Sequence, residues 1–110
     1  MNLTNIQSLE INWDNVPITK YSGETGWAYS RTFETEHIRI RIIEYSQEYL
    51  ADHWCCRGHI IHLLEGSVII EIKDKHKIYL KKGMSLCLGD NESSAHRVIS
   101  KTGCSVLIID

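Results

Sequence analysis

The sequence has little proline and no low-complexity tract. Pro17 is the one proline in 110 residues, and no Pro-rich segment, Gly/Ser linker or repeat marks an internal boundary. At a length close to the commonest size of one domain, we therefore expect residues 1–110 to form a single domain. The composition is 43% hydrophobic and 24% charged, which is typical of a globular chain and excludes disorder.

Excess positive charge and long apolar runs are also missing. The net charge of -2 offers no basic surface for phosphate groups, so nucleic acid is not an expected partner. No apolar run approaches the roughly 20 residues that cross a bilayer, so no membrane partner is expected either. The polar start, residues 1–5, lacks the charged and apolar regions of a signal peptide. We expect a cytoplasmic protein whose four cysteines are thiols, metal ligands or core residues. Cys87 and Cys104 lie in apolar strand-like runs, so we expect these two in the core.

Apolar residues recur mostly at every second position, which predicts β-strands. Residues 38–42, Ile-Arg-Ile-Arg-Ile, alternate cleanly, as a strand with one buried face does. Gly66 and Gly103 each separate two apolar runs, and we interpret each as a turn or bend between strands. Roughly eight or more short strands result, which predicts an all-β sandwich or closed barrel such as a jelly roll.

The first 20 residues show no clear period. Residues 2–11 fit either a short helix or an edge strand that covers the barrel mouth or a partner subunit. A small barrel with such a segment often buries apolar strands against a second copy, so we expect a homodimer. Trp13, Val16 and Ile18 are the candidate interface residues.

A cluster of potential metal ligands occupies residues 52–62, Asp-His-Trp-Cys-Cys-Arg-Gly-His-Ile-Ile-His. Side chains alternate along an extended chain, so His53 and Cys55 point the same way, and His59 shares their phase unless residues 57–58 change it. Imidazole nitrogen and thiolate sulfur bind zinc, iron, nickel or copper. Each residue also has another interpretation, because strand histidines are commonly structural or surface residues and Cys55 could simply be buried.

This segment resembles the first motif of the cupins. His53-x-Cys55-x3-His59, followed by an apolar strand and Glu65-Gly66, is similar to His-x-His-x3-Glu ahead of a Glu-Gly turn. The second cupin motif begins with Gly and ends with His, which is similar to Gly83 and His96. The stretch at residues 49–55 further resembles the DHCW-motif cupins, a likeness that runs from about residue 16 to the end.

The resemblance implies a fold and a metal site. The fold is the cupin-type jelly-roll β-barrel, or double-stranded β-helix. The cofactor is one divalent transition metal ion, zinc, iron, nickel or manganese, held by His53, Cys55, His59 and His96. Cys55 replaces the second His of the cupin motif and His59 replaces its Glu, so the ligand field is softer than usual. Asp52 could orient His53, as carboxylates often do for metal-bound imidazole.

The resemblance leaves the reaction open and identifies no catalytic residue. One hypothesis is a metal-dependent enzyme acting on a small molecule in the barrel, since cupins include dioxygenases, isomerases and thiol oxidases. The alternatives are a non-catalytic module that binds a small ligand or senses metal, and a structural metal site. Four arginines could also send a guanidinium into the barrel to bind an anionic substrate, although an outward solvated face is commoner: Arg31, Arg39, Arg41 and Arg57.

Overall fold

Seven strands hold most of the chain in the computed structural model, which describes residues 3–91 and 94–110. In chain order they are β1 (Thr19–Ser22), β2 (Trp27–Glu34), β3 (Arg39–Leu50), β4 (Ile60–Ile72), β5 (Lys77–Lys81), β6 (Ser85–Cys87) and β7 (His96–Ile109). A 3-10 turn, Trp13–Asn15, precedes β1. Within the described ranges, no helix is long and apolar enough to span a membrane.

All the strands pair antiparallel in one sheet of order β1-β2-β3-β7-β4-β5, with β6 added beside β4. The long strands β3, β4 and β7 contain 12, 13 and 14 residues, and their buried side chains form one core cluster with those of β2 and β5. The edge strands β1 and β5 do not pair with each other, so hydrogen bonds do not close the barrel. The all-β jelly roll predicted from the sequence is confirmed.

Two glycines that the sequence presents as turns lie inside long strands. Gly66 in β4 and Gly103 in β7 both have positive φ, 82° and 92°. The register between β4 and β7 shifts on both sides of Gly66, which marks β-bulges that bend a strand without reversing it. A Cβ atom on Gly66 would lie 2.6 Å from the carbonyl oxygen of Gly103, so the bend requires glycine. The prediction of eight or more strands was wrong because bulges and turns use the same glycine conformation.

Strand alternation divides the interior into an apolar part and a polar part. The apolar part holds the most buried side chains, none more than 1% exposed: Ile61, Leu63, Ile70 and Val106. Burying each of these stabilises the fold by about 1.5–3 kcal/mol. The first odd-numbered positions of β3 are Arg39 and Arg41, which face a cavity, and the even-numbered Ser30 and Thr32 of β2 face the same cavity. The polar part therefore lies where β2 and β3 meet.

Arg31 holds the N-terminal segment against β2. Its Nη1 donates to the carbonyl oxygens of Trp13 and Val16 at 2.7 and 2.8 Å. The guanidinium is therefore turned away from the barrel interior and does not line the cavity. Residues 3–11 contain neither the helix nor the edge strand expected there, and residue 2 lies outside the described residues. The edge strand is β1, which begins at Thr19.

Candidate metal centre

One sulfur and two imidazole rings lie close together in the structure. They belong to Cys55, His59 and His96. Each offers a ligand atom, and these atoms all lie within 4.8 Å of one another. Cys55 Sγ lies 3.6 Å from His59 Nε2, which is about the separation of two ligands on a tetrahedral ion with bonds of about 2.3 and 2.0 Å. His59 and His96 are 8% and 2% exposed, and their rings meet edge to face with centroids 4.9 Å apart. This group fits a transition metal ion.

A β-bridge between Cys55 and His96 positions two of the three side chains. Cys55 N donates to His96 O at 2.8 Å, and His96 N donates to Cys55 O at 2.9 Å. Residues that exchange both hydrogen bonds lie directly opposite each other, with side chains on the same face. The bridge therefore sets the register of His96, which the sequence could not determine across the loop before β7.

Gly58 places His59 at the start of β4. A Cβ atom on Gly58 would lie 2.5 Å from the carbonyl oxygen of Leu88, and Gly58 N donates to the Asp90 carboxylate. Only glycine permits this approach of the two backbones. Leu88 N also donates to His59 O at 2.8 Å. The turn after Cys55 is therefore held firmly enough to return His59 to the same side as the thiol.

Both buried histidines direct the Nδ1 proton away from the group. His96 Nδ1 lies 2.8 Å from the carbonyl oxygen of Ser94, and His59 Nδ1 lies 3.0 Å from Asp110 Oδ2. A carbonyl and an ionised carboxylate only accept hydrogen bonds, so each Nδ1 carries a proton and Nε2 is the nitrogen that can bind a metal ion. Burial lowers the pKa of His59 more than its hydrogen bond to Asp110 raises it, which favours the neutral ring. Metal-bound histidines are typically held in this way.

Asp110 orients His59, and three arginines lie close to its carboxylate. Its side chain is 2% exposed, and Arg39 donates to it twice, at 3.0 and 2.8 Å. Arg41 and Arg57 approach the same carboxylate at 3.5 and 3.4 Å. Burial alone would raise the pKa of Asp110, but the hydrogen bonds from Arg39 and His59 and the nearby arginine charges lower that pKa to about 2. Asp110 is therefore ionised at neutral pH.

Asp110 is the residue of this site that sequence reasoning missed. It lies 51 residues from His59 in the chain, and no spacing rule connects them. The structure joins them because Arg39 and Asp110 pair through their backbones at 2.7 and 2.9 Å where β3 meets the end of β7. The sequence shows an acidic residue directly after an apolar strand, and the resemblance to the DHCW-motif cupins includes this Asp110 ending, but neither signal assigns Asp110 a role.

His53 lies outside the group of three. Its side chain is 75% exposed, and its Nδ1 lies 2.7 Å from Asp52 Oδ1. The hydrogen bond from His53 lowers the pKa of Asp52, so this carboxylate is an acceptor and leaves His53 Nε2 free. His53 does line the same cavity as the other three residues. Its assignment as a fourth ligand stays a prediction.

The group opens onto a cavity of about 860 Å³. This volume lies within the range of about 300–1,000 Å³ that is typical of small-molecule sites. Besides the candidate ligands, polar side chains line it from β2 and β3: Ser30, Thr32, Arg39, Arg41 and Tyr45. Arg57 is 56% exposed and does not line the cavity. Two of the four arginines named from the sequence therefore face the interior.

Several solved structures are similar to this one. A predicted oxalate decarboxylase from Thermotoga maritima has a TM-score of 0.76 and 10% identity, covering 92% of this chain and 96% of that one. A cupin-like protein from Thermotoga maritima has a TM-score of 0.71 and 17% identity, covering 84% and 75%. The polyketide cyclase RemF from Streptomyces resistomycificus has a TM-score of 0.72 and 14% identity, covering 94% and 78%.

The sequence itself shows weaker relationships than the structure. No family model matches the chain, and no match is found among curated proteins. Sequence identities of 10 to 17% support a shared fold, but they do not show a shared activity. The chain has the cupin fold, and the narrower resemblance to the DHCW-motif cupins stays a prediction.

Proposed function

We propose that this cupin-fold chain is a metal-dependent enzyme that acts on a small molecule inside the barrel. One divalent transition metal ion would be held by Cys55, His59 and His96, with His53 as the fourth ligand. The observation that supports this most strongly is the convergence of one thiol and two imidazole rings on the wall of a cavity of about 860 Å³. When bound, such an ion supplies Lewis-acid or redox chemistry at an open coordination position.

The chain's own residues would prepare the site in two ways. Asp110 and the Ser94 carbonyl fix the rings of His59 and His96, so little reorganisation is needed when the ligands are engaged. Both rings are also buried, so the packing around them fixes their positions. A thiolate ligand such as Cys55 is best preserved in a reducing compartment, so we also propose a cytoplasmic location.

The alternative is a non-catalytic module that binds a small ligand or senses metal. The carboxylates nearest the metal group favour this alternative, because each of them is already hydrogen-bonded to other residues. Asp110 is held by Arg39 and His59, and Asp52 is held by His53, so neither is free to serve as a general base. Two of the similar structures have enzyme names, a predicted oxalate decarboxylase and a polyketide cyclase. These names favour catalysis instead.

Turnover by the metal-reconstituted protein separates these functions. We expect apo protein reloaded with iron, nickel or manganese to convert a member of a broad small-molecule panel, because these ions exceed four-coordination and keep an open position beside four protein ligands. Zinc should support weak turnover or none, since it is usually closed at four ligands. Full turnover with zinc alone would contradict the four-ligand set. Stoichiometric metal without turnover on any ion would contradict the enzyme and favour the binding module.

We also propose that the chain forms a homodimer through the face beside β1. Ile18 is 53% exposed, and Trp27 at the start of the neighbouring strand is 43% exposed. An exposed edge strand beside large apolar side chains is a surface that a second copy commonly covers.

The dimer predicts a light-scattering mass of twice 12.7 kDa at micromolar concentration. Ile18→Lys should give a monomer, because a buried charge without a partner opposes association. Tyr79→Lys is the matched control, since Tyr79 is 65% exposed on the opposite edge strand β5, and it should remain dimeric. A monomeric wild type, or an unchanged dimer in Ile18→Lys, would rule out this interface.

A further inference from the structure

Arg41 carries a positive charge that its neighbours compensate incompletely. Its side chain is 18% exposed and lines the cavity, while its Nε atom is buried. Within residues 3–91 and 94–110, that Nε has no hydrogen-bond partner. The nearest carboxylate oxygen, Asp110 Oδ2, lies at 3.5 Å from Nη2, which is beyond a good hydrogen bond. A buried charged donor without partners is costly, and an anion would offset that cost.

The carboxylate near Arg41 is already used by other residues. Arg39 takes both oxygens of Asp110 in a two-pronged contact, and His59 takes a further position on Oδ2. Arg57 approaches the same oxygen at 3.4 Å. Three guanidinium groups therefore share one negative charge, which leaves the polar end of the cavity with surplus positive charge.

The other charged groups on the cavity wall do not remove this surplus. Arg97 is paired with Glu71 at 2.6 Å, and Asp52 is paired with His53 at 2.7 Å. Lys20 lies over the Trp27 ring, and Glu34 lies opposite Arg39 in the sheet, where its charge acts on Arg39 and not on Arg41. Burial and the like charge of Arg39 lower the pKa of Arg41, yet an arginine remains protonated in proteins.

We propose that Arg41 anchors a carboxylate subsite, so that the cavity takes a small organic acid. This deepens the proposed function and rests on it, because a second donor atom of the same acid would engage the metal ion. Arg41 Nη2 and His59 Nδ1 lie 3.5 and 3.0 Å from the same oxygen of Asp110, so the subsite and the metal group are neighbours.

The class of anion follows from the number of available donors. Arg39 is committed to Asp110, and Arg57 does not line the cavity, which leaves one guanidinium fork for a ligand. One fork matches the two oxygens and single charge of a carboxylate. A phosphate dianion would need more positive charge than one guanidinium supplies. The hydroxyls of Ser30 and Thr32 line the same cavity and can donate to the same acid.

Calorimetric titration of metal-loaded protein with malonate tests the subsite. Malonate should bind the wild type, whereas malonamide, its neutral analogue, should not. Arg41→Met should weaken malonate binding by about tenfold or more, the effect of removing a hydrogen-bonded charge, while metal content stays at the wild-type level. Arg57→Met is the matched control, because it removes a positive charge at a similar distance from Asp110 but outside the cavity, and it should bind malonate like the wild type.

Each other outcome contradicts a specific part of the proposal. Equal malonate affinity in Arg41→Met and wild type, at full metal content, would overturn the subsite and leave the metal site standing. Arg41-dependent malonate binding by a chain that takes up no metal would overturn the metal site and leave the subsite standing. Inorganic phosphate that binds as tightly as malonate would overturn the carboxylate class. If Arg41→Met does not fold, Arg41→Lys keeps the charge but loses the fork, and unchanged malonate affinity there would also overturn the proposal.

Discussion

Replacing Asp110 by Ala is expected to lower the free energy of unfolding by about 3–5 kcal/mol, the effect of removing one partner from a buried ion pair. Arg39 would lose both of its hydrogen bonds to the carboxylate, and Arg41 and Arg57 would lose the one negative charge that they share. Arg39 and Arg41, which are 24% and 18% exposed, would then repel each other without a carboxylate between them. Urea denaturation followed by tryptophan fluorescence measures the loss.

The same position should also control metal affinity. Asp110→Asn keeps the shape of the side chain but removes the anionic acceptor of the His59 Nδ1 proton, so metal affinity should fall by about 10- to 100-fold.

The matched control for the loss of stability in Asp110→Ala is Asp14→Ala. Asp14 lies in the exposed turn before β1, so its replacement should change the free energy of unfolding by less than about 0.5 kcal/mol. A loss below about 1 kcal/mol in Asp110→Ala would show that the arginines do not depend on this carboxylate.

Much of the fold could be predicted from residue alternation, because the period of a strand is a local property. The run from Ile38 to Ile42 correctly predicted a strand at the start of β3, but not its inward face, because Arg39 and Arg41 line the cavity and Ile40 and Ile42 do not. The number of strands could not be predicted, because Gly66 and Gly103 have the same positive φ in a bulge as in a turn. Only the pairing of β4 with β7 through both glycines distinguishes the two cases.

The sequence also could not predict which single residues of a short strand are buried. Cys104 was expected in the core and is buried there, as part of the long strand β7. Cys87 was expected in the core as well, but it is exposed. The strand β6 has only three residues, and its central Leu86 is the one that turns inward. An apolar run of that length does not reveal which phase is buried.

The candidate site was predicted in part: Cys55, His59 and His96 converge as expected, whereas His53, only two residues from Cys55, lies outside the group. The spacing of Cys55 and His59 lies within five residues, so the sequence alone suggested that they converge. Asp110 and Arg41 reach the same site through the pairing of β3 with β7, in which Arg41 lies opposite Ile108. Such non-local registers depend on the packing of the whole sheet. The role of Asp110 is therefore identified by the structure alone, and the structure also selects Arg41 from the four arginines that the sequence offered.

Removing a single ligand is expected to have the largest effect on metal content. Cys55→Ser, His59→Ala and His96→Ala should each lower bound metal from about one ion per chain to a trace, since three converging donors leave no substitute for a lost one. His62→Ala is the matched control. His62 lies near His59 in the chain, but it hydrogen-bonds Ser85 and is not part of the group, so its variant should keep full metal content.

His53 supplies the decisive comparison, because its ring is 75% exposed and hydrogen-bonded to Asp52 rather than gathered with the other three. If His53 is the fourth ligand, metal uptake must turn its Nε2 inward, and His53→Ala should weaken metal binding while leaving one open position on the ion. The double variant His53→Ala/His59→Ala should then bind no metal. Elemental analysis gives the metal content, and cobalt-substituted protein reports the thiolate of Cys55 through its charge-transfer absorption. Stoichiometric metal in the double variant would refute the site, and wild-type affinity in His53→Ala would reduce the ligand set to Cys55, His59 and His96.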